Sequence, residues 1–135
     1  MAAIIIVDDD PTVRAIAVEF LRDGEHAIVE AADGHEALRV LKAVPIDLMV
    51  LDMLMPQKDG LETLMEARQL YPDVRILAIS SGGSMDANYL LAVAKTLGAD
   101  AVLSKPLTAA RFRQVVEDLL IPAPASQDQT RLVSR

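Results

Sequence analysis

The chain has no cysteine and no tryptophan, and only two histidines, two phenylalanines and two tyrosines among its 135 residues. Without thiols there is no disulfide framework, no thiolate nucleophile and no cysteine-based zinc site, which fits a reducing compartment; a cytoplasmic location is expected. With aromatics at 3% against 52% hydrophobic residues, the core must be filled by Ile, Leu, Val, Ala and Met, with Phe20 and Phe112 the sole phenylalanines. Basic residues are also short: 13 Lys and Arg stand against 20 Asp and Glu, a formal net charge of -7. Nucleic-acid phosphates need a basic patch, so direct nucleic-acid binding is disfavoured. Long apolar runs are missing too. Met1 to Val7 is too short to cross a bilayer, lacks a basic leader and runs at once into Asp8, Asp9 and Asp10, so it reads as neither signal peptide nor membrane helix. His26 and His35, nine residues apart, form no metal pattern and read as surface residues.

What is present is a serial pattern of a length suited to one domain. Ala3 to Val7 is a continuous, β-branched run, as in a strand buried on both faces. Asp10 is the expected N-cap of the next helix, Pro11 sits where its missing N–H costs nothing, and Gly24 is the expected stop. Val13, Ile16, Ala17, Phe20 and Leu21 form the predicted inner stripe of that helix. Ala27 to Ala31 reads as a second strand, followed by a helix from Asp33-Gly34 with Ala37, Leu38 and Leu41 inward. Ile46 to Leu51 reads as the third strand, and Leu61, Leu64 and Met65 mark a third helix. Arg75 to Ile79 and Ala101 to Leu103 read as strands, with helices predicted at Met85 to Leu97, stopped by Gly98, and after Thr108. Five βα units in series predict an α/β fold, a three-layer αβα flavodoxin-like arrangement with a five-stranded parallel sheet of order 2-1-3-4-5 and five helices. This domain is placed at residues 1–121. The Pro-Ala-Pro-Ala-rich residues 122–135 have no apolar period and read as a disordered C-terminal tail or linker stub.

The strand ends carry the chemistry. Asp8, Asp9 and Asp10 follow the first strand, Asp52 the third, Ser80 and Ser81 the fourth, and Lys105 the fifth. A parallel sheet points all of these ends the same way, and ligands of open α/β sheets bind there. Crowded carboxylates take up protons or bind a cation, and a site of oxygen donors alone favours a hard ion such as Mg²⁺. Asp52 then becomes a nucleophile toward phosphorus, with Lys105 and the Ser80 hydroxyl as partners for phosphoryl oxygens.

These motifs together resemble the response regulator receiver domain of two-component phosphorelay systems, over Ile4 to about Leu120. Ile-Val-Asp8-Asp9-Asp10-Pro11 is similar to the family's acidic pocket. Leu51-Asp52-Met53-Leu54-Met55-Pro56 with Asp59-Gly60 is similar to its phosphoacceptor segment, Ser80-Ser81 to its hydroxyl region, and Leu103-Ser104-Lys105-Pro106 to its lysine-proline motif. The resemblance implies that Asp52 is phosphorylated and that Asp9, Asp52 and the Leu54 carbonyl bind Mg²⁺ directly, with Mn²⁺ able to substitute and Asp8 acting through water. It implies Ser80 as the hydroxyl switch, Lys105 as the ionic partner of the phosphoryl group, Ser81 beside it, and Pro106 after an often cis bond. A sensor histidine kinase or histidine phosphotransfer protein is the implied donor, and a downstream effector domain or target protein the output. A homodimer through the fourth and fifth units is compatible with the resemblance; no membrane partner is implied, and the chain would catalyse nothing beyond its own phosphorylation and dephosphorylation.

Three positions depart from the pattern. Val102 stands where the family often has an aromatic residue, so a swinging ring is not expected. Leu54 and Gly82 occupy the two positions that tune phosphate lifetime, and neither side chain can hold an attacking water, so slow phosphate loss is expected. Two other classes stay open at this stage. A degenerate receiver would act as a phosphorylation-independent binding module. A small hydrolase would use Asp52 as a transient nucleophile, but Met53-Leu54 supplies no second acid for a leaving group.

Overall fold

A computed structural model describes residues 1–55, 60–81 and 85–121, with the side chains of residues 85–87 left aside. Pro56, Asp59 and Gly82, together with the segment 122–135, therefore lie outside the described residues. The elements run β1 (Ala3–Val7), α1 (Pro11–Phe20), β2 (Ala27–Ala31), α2 (Gly34–Ala43), β3 (Leu48–Asp52), α3 (Gly60–Leu70), β4 (Arg75–Ser81), α4 (Met85–Thr96), β5 (Ala101–Lys105) and α5 (Ala109–Leu120). All strand pairs are parallel and the sheet order is β2-β1-β3-β4-β5, as expected from the repeated βα pattern.

Alternation along the strands divides the core into two layers. Ile5, Val7, Met49, Leu51, Ile76 and Ala78 face one side of the sheet and pack with Ala37 and Leu41 of α2, Leu64 and Ala67 of α3, and Leu91 and Ala94 of α4. Ile4, Ile6, Leu48, Val50, Leu77 and Ile79 face the other and meet Ala17 of α1, with Leu21 just beyond its end, and Phe112, Val115 and Val116 of α5. Each fully buried Ile or Leu of this kind contributes about 1.5 to 3 kcal/mol by leaving water. The central strands are thereby anchored on both faces, and their carboxyl ends become a fixed platform.

Helix starts follow the sequence closely. Asp10 caps α1 by accepting from the Thr12 N–H at 2.9 Å. Asp33 caps α2 by accepting from the Glu36 N–H at 2.8 Å, while Glu36 returns to accept from the Ala32 N–H, a reciprocal cap. Thr108 is the N-cap residue of α5 but makes no side-chain cap bond.

Several expectations are corrected. Helix α1 ends at Phe20 and passes through a 3-10 turn, Arg22–Gly24, after which Glu25 takes the left-handed conformation at φ 60°. The carbon that alanine would add at Gly24 would lie 2.8 Å from the His26 ring, so Gly24 is explained by that close approach. His26 is not a surface residue: its side chain is 8% exposed, its Nε2 lies 2.9 Å from Glu117 of α5, and its Nδ1 is 3.3 Å from the Ala2 N–H. Of the stripe predicted for α1, Ala17 and Leu21 are buried and Phe20 packs against the core, but Ile16 is 42% exposed; in α3 Leu64 is buried with Thr63 and Ala67, whereas Met65 is 54% exposed. β3 begins at Leu48 rather than Ile46, and β4 and β5 extend through Ser81 and Lys105.

At the opposite end of the sheet from the acidic residues, Arg68 of α3 ties the α3–β4 and α4–β5 loops together. Its guanidinium donates to the carbonyls of Gly98 (2.7 and 3.1 Å), Pro72 (3.0 Å) and Val74 (2.8 Å) and pairs with Asp100 at 2.8 Å. Asp100 in turn accepts from the Ile76 N–H at the start of β4. Removing this side chain leaves several carbonyls and a carboxylate without their donors. Arg68→Ala is expected to cost about 2 to 4 kcal/mol, above the usual range for a surface substitution, as measured by urea unfolding.

Candidate functional site

Asp52 is the last residue of β3, and every residue of that strand is buried. Its carboxylate is 3% exposed and its Oδ1 accepts from the Leu54 N–H at 3.3 Å. Asp8 follows β1 at the neighbouring sheet position and is fully buried; its N–H donates to the Ala31 carbonyl of β2 at 3.1 Å, and its Oδ1 accepts from the Asp10 N–H at 2.9 Å. Asp9, one residue on, is exposed. Asp8, Asp9 and Asp52 each offer a carboxylate oxygen within 4.8 Å of the others. From β5, Lys105 Nζ reaches 2.9 Å from Asp8 Oδ2 and 3.6 Å from Asp52 Oδ1. Ser80, 1% exposed, lies opposite Ser104 in the ladder near the end of β4, and exposed Ser81 lies opposite Lys105.

The electrostatics follow from the crowding. Burial pushes the Asp52 carboxyl up, the neighbouring Asp8 charge adds to this, and the Lys105 ammonium and Leu54 N–H oppose it; the balance lies at about 7 against an ordinary 3.8. Burial alone would lower the Lys105 ammonium, but its contact with Asp8 and the Asp52 charge outweigh that and raise it. Among the described residues, one ammonium thus faces three carboxylates. Asp8 Oδ2 is fully enclosed, with the Lys105 ammonium 2.9 Å away. An enclosed oxygen with spare acceptor capacity, in a group of oxygen donors with excess negative charge, fits a small hard divalent ion.

Gly60 explains how close the loop can pack. A carbon added there would sit 2.3 Å from the Asp52 carbonyl oxygen and 2.4 Å from Met53 Cα. Glycine at position 60 is thus required by the approach of α3 to the Asp52 backbone.

Sequence-expected residues are brought together at Asp8, Asp9, Asp52 and Lys105. Asp10 remains a cap. The Leu54 side chain projects into solvent at 66% exposure, Val102 is half-buried against the core, and the Lys105-Pro106 bond is cis. One neighbour was missed: Arg14 of α1 donates to the Asp8 carbonyl at 2.5 Å and pairs with Glu30. Its signal was spacing, since Arg14 stands three and seven residues before the buried Ala17 and Leu21, on the stripe that faces the sheet.

The family model for the response regulator receiver domain matches residues 4–117. The chain belongs to that family. As a receiver domain it is a Mg²⁺-dependent phosphoacceptor of two-component signalling, and its chemistry is the gain and loss of its own phosphoryl group. It is 33% identical to the transcriptional regulatory protein CpxR of Escherichia coli over 120 residues, 86% of this chain and 50% of CpxR. It is 32% identical to the sensor kinase CckA of Brucella abortus over 88% of this chain and 12% of CckA. The receiver chain thus spans half or less of these curated relatives. Among solved structures, the receiver domain of NtrX from Brucella abortus superposes with a TM-score of 0.81 at 28% identity, covering 89% of this chain and 99% of that one. The response regulator TrrA of Thermotoga maritima, crystallised in complex with Mg²⁺-BeF, superposes at 0.79 and 29% identity over 89% of this chain and all of its own, 100%. Among the described residues of the receiver domain, no helix is long and apolar enough to cross a membrane.

Proposed function

We propose that Asp52 accepts the phosphoryl group, with Asp9, Asp52 and the Leu54 carbonyl as direct ligands of Mg²⁺ and Asp8 acting through water. The observation that carries this reading is the convergence of buried Asp52 and Asp8 with exposed Asp9, Lys105 alongside. A sensor histidine kinase or phosphotransfer protein is the proposed donor. An Asp52 oxygen attacks phosphorus, the bond to the donor's imidazole nitrogen breaks, and its electron pair stays on that nitrogen. When bound, Mg²⁺ offsets negative charge on the transferring group. Lys105 leaves its contact with Asp8 to pair with a phosphoryl oxygen, and the Ser80 hydroxyl donates to another, with Ser81 and Pro106 shaping the surrounding loops. Val13 and exposed Ile16 line a hollow of about 110 Å³ with Lys105, Pro106 and Leu107, an apolar rim against which a donor helix could rest.

The output is a population shift of the face formed by the fourth and fifth units toward a downstream domain, a target protein or a second copy. Such a shift requires that the phosphoryl group favour one arrangement over the other. With Val102 in place of a ring, that shift rests on Ser80 and the backbone around it. Residues 1–121 form the receiver unit in this reading, and 122–135 a linker.

Incubation with acetyl phosphate tests the reading by intact mass. A long-lived adduct is expected with Mg²⁺, none with chelator and none in Asp52→Asn. Its loss should be slow, because Leu54 offers no polar group to a water. Rapid turnover without accumulation would favour the hydrolase, and absence of any adduct the binding module.

A further inference from the structure

We infer that Arg14 is a positioning residue for the acidic turn: it braces the peptide between Asp8 and Asp9 against β2 and so sets the metal-binding geometry. The inference rests on the proposed phosphoacceptor site. Arg14 Nη1 donates to the Asp8 carbonyl at 2.5 Å, while its Nε donates to Glu30 Oε1 at 3.1 Å. The same Asp8 residue is held through its N–H by the Ala31 carbonyl and through its Oδ1 by the Asp10 N–H. The Asp8 carbonyl belongs to the rigid peptide plane that leads into Asp9. Fixing that oxygen fixes the plane, and with it the direction in which the Asp9 side chain leaves the backbone.

The arrangement is built for direction more than for stability. The Arg14 side chain is 17% exposed but Glu30 is 48% exposed, so the ion pair between them faces water on one side. Pairs of that kind contribute little to folding. What the pair does supply is orientation, because a guanidinium is a planar fork and can serve two acceptors in fixed directions at once. Glu30 lies opposite Ile6 in the β1–β2 ladder, so the fork is referenced to the sheet itself. Asp9, by contrast, is exposed, and among the described residues no hydrogen bond to its carboxylate is found. Its placement near Asp8 and Asp52 therefore depends on the backbone that carries it. Groups that orient metal ligands from outside typically change metal affinity by about 10- to 100-fold when removed.

The test is a calorimetric Mg²⁺ titration of the whole chain and of Arg14→Gln, Arg14→Lys, Glu30→Gln and the Arg14→Gln/Glu30→Gln pair. Arg14→Gln is expected to weaken Mg²⁺ roughly tenfold, at the low end for such groups. Glu30→Gln should weaken it less, and the double variant no further than Arg14→Gln alone, since both act through one path. Arg14→Lys, which keeps the charge without the fork, should fall between wild type and Arg14→Gln. In acetyl phosphate labelling, the half-saturating Mg²⁺ concentration of Arg14→Gln should rise with the calorimetric constant, while its rate at saturating Mg²⁺ stays close to wild type. A general structural lesion would lower that saturating rate. Wild-type Mg²⁺ affinity in Arg14→Gln, or a lowered saturating rate with unchanged half-saturation, would overturn the inference. Should Arg14→Gln fail to fold, wild-type affinity in both Arg14→Lys and Glu30→Gln would overturn it equally. If the wild-type chain itself did not bind Mg²⁺, the phosphoacceptor reading would fall first and this inference with it.

Discussion

Gly60→Ala is expected to lose about 3 kcal/mol or more of stability, at or beyond the upper end for an added methyl in a packed interior. The carbon would be built against backbone, 2.3 Å from the Asp52 carbonyl oxygen and 2.4 Å from Met53 Cα, and no side-chain rotation relieves either contact. The gain in helix propensity from glycine to alanine is at most about 1 kcal/mol and cannot offset this. Either α3 must move outward or the backbone at Asp52 must shift, so any protein that still folds should also label more slowly with acetyl phosphate. Chemical denaturation and labelling rate, measured on the same preparation, check both parts. A variant with wild-type stability would mean that α3 does not press on the Asp52 segment.

Mg²⁺ affinity is expected to rise roughly tenfold per pH unit between about pH 5 and 7, and to level off above that range. In the folded, ion-free chain the Asp52 carboxyl holds its proton up to about 7, first because it is buried and next because Asp8 is adjacent, whereas the ordinary value is 3.8. A direct ligand must give up that proton, so Mg²⁺ competes with it below 7 and does not above. The same linkage acts on stability. The folded state holds a proton that the unfolded state has lost, so the contribution of Asp52 is complete below the unfolded value and disappears as pH rises through the folded one. With chelator present, the Tm of the wild-type chain should fall between pH 5 and 8 by roughly 5 to 15 °C, corresponding to about 2 to 3 kcal/mol. Asp52→Asn has no such carboxyl and should lose this part of both dependences. Calorimetry at a series of pH values, together with thermal unfolding, measures the two slopes. An affinity flat from pH 5 to 7 would contradict the assignment of Asp52 as a protonated, displaceable ligand.

Much of this was legible because it rests on local rules. The Ala3 to Val7 run and the Ala27 to Ala31 run became strands with the predicted bounds, since continuous apolar β-branched residues fit a strand buried on both faces. Asp10-Pro11 and Asp33-Gly34 opened helices because capping is decided within four residues. Asp52 could be placed at a functional edge because parallel strands share one carboxyl end. The contacts that escaped are those between side chains distant in sequence. Hydrophobic spacing places Ile16 inside, but it cannot see that charged Arg14 lies on the inner side of α1 where an acceptor awaits it. The absence of a metal pattern makes His26 read as a surface residue, although Glu117, ninety-one positions later, partners it. The motif matches Lys105 to a phosphoryl group, whereas its nearer partner is Asp8, a pairing that only the β1 and β5 ends together reveal. Arg68 gave no sequence signal, since its acceptors are backbone carbonyls.

The site of modification is the most direct test of the central claim. Wild-type chain labelled by acetyl phosphate in Mg²⁺ can be reduced with borohydride, which converts an aspartyl phosphate to homoserine, and then mapped by peptide mass spectrometry. The account predicts homoserine at position 52 and unmodified Asp8 and Asp9. Conversion at Asp8 or Asp9 instead, or an adduct that persists in Asp52→Asn, would contradict it.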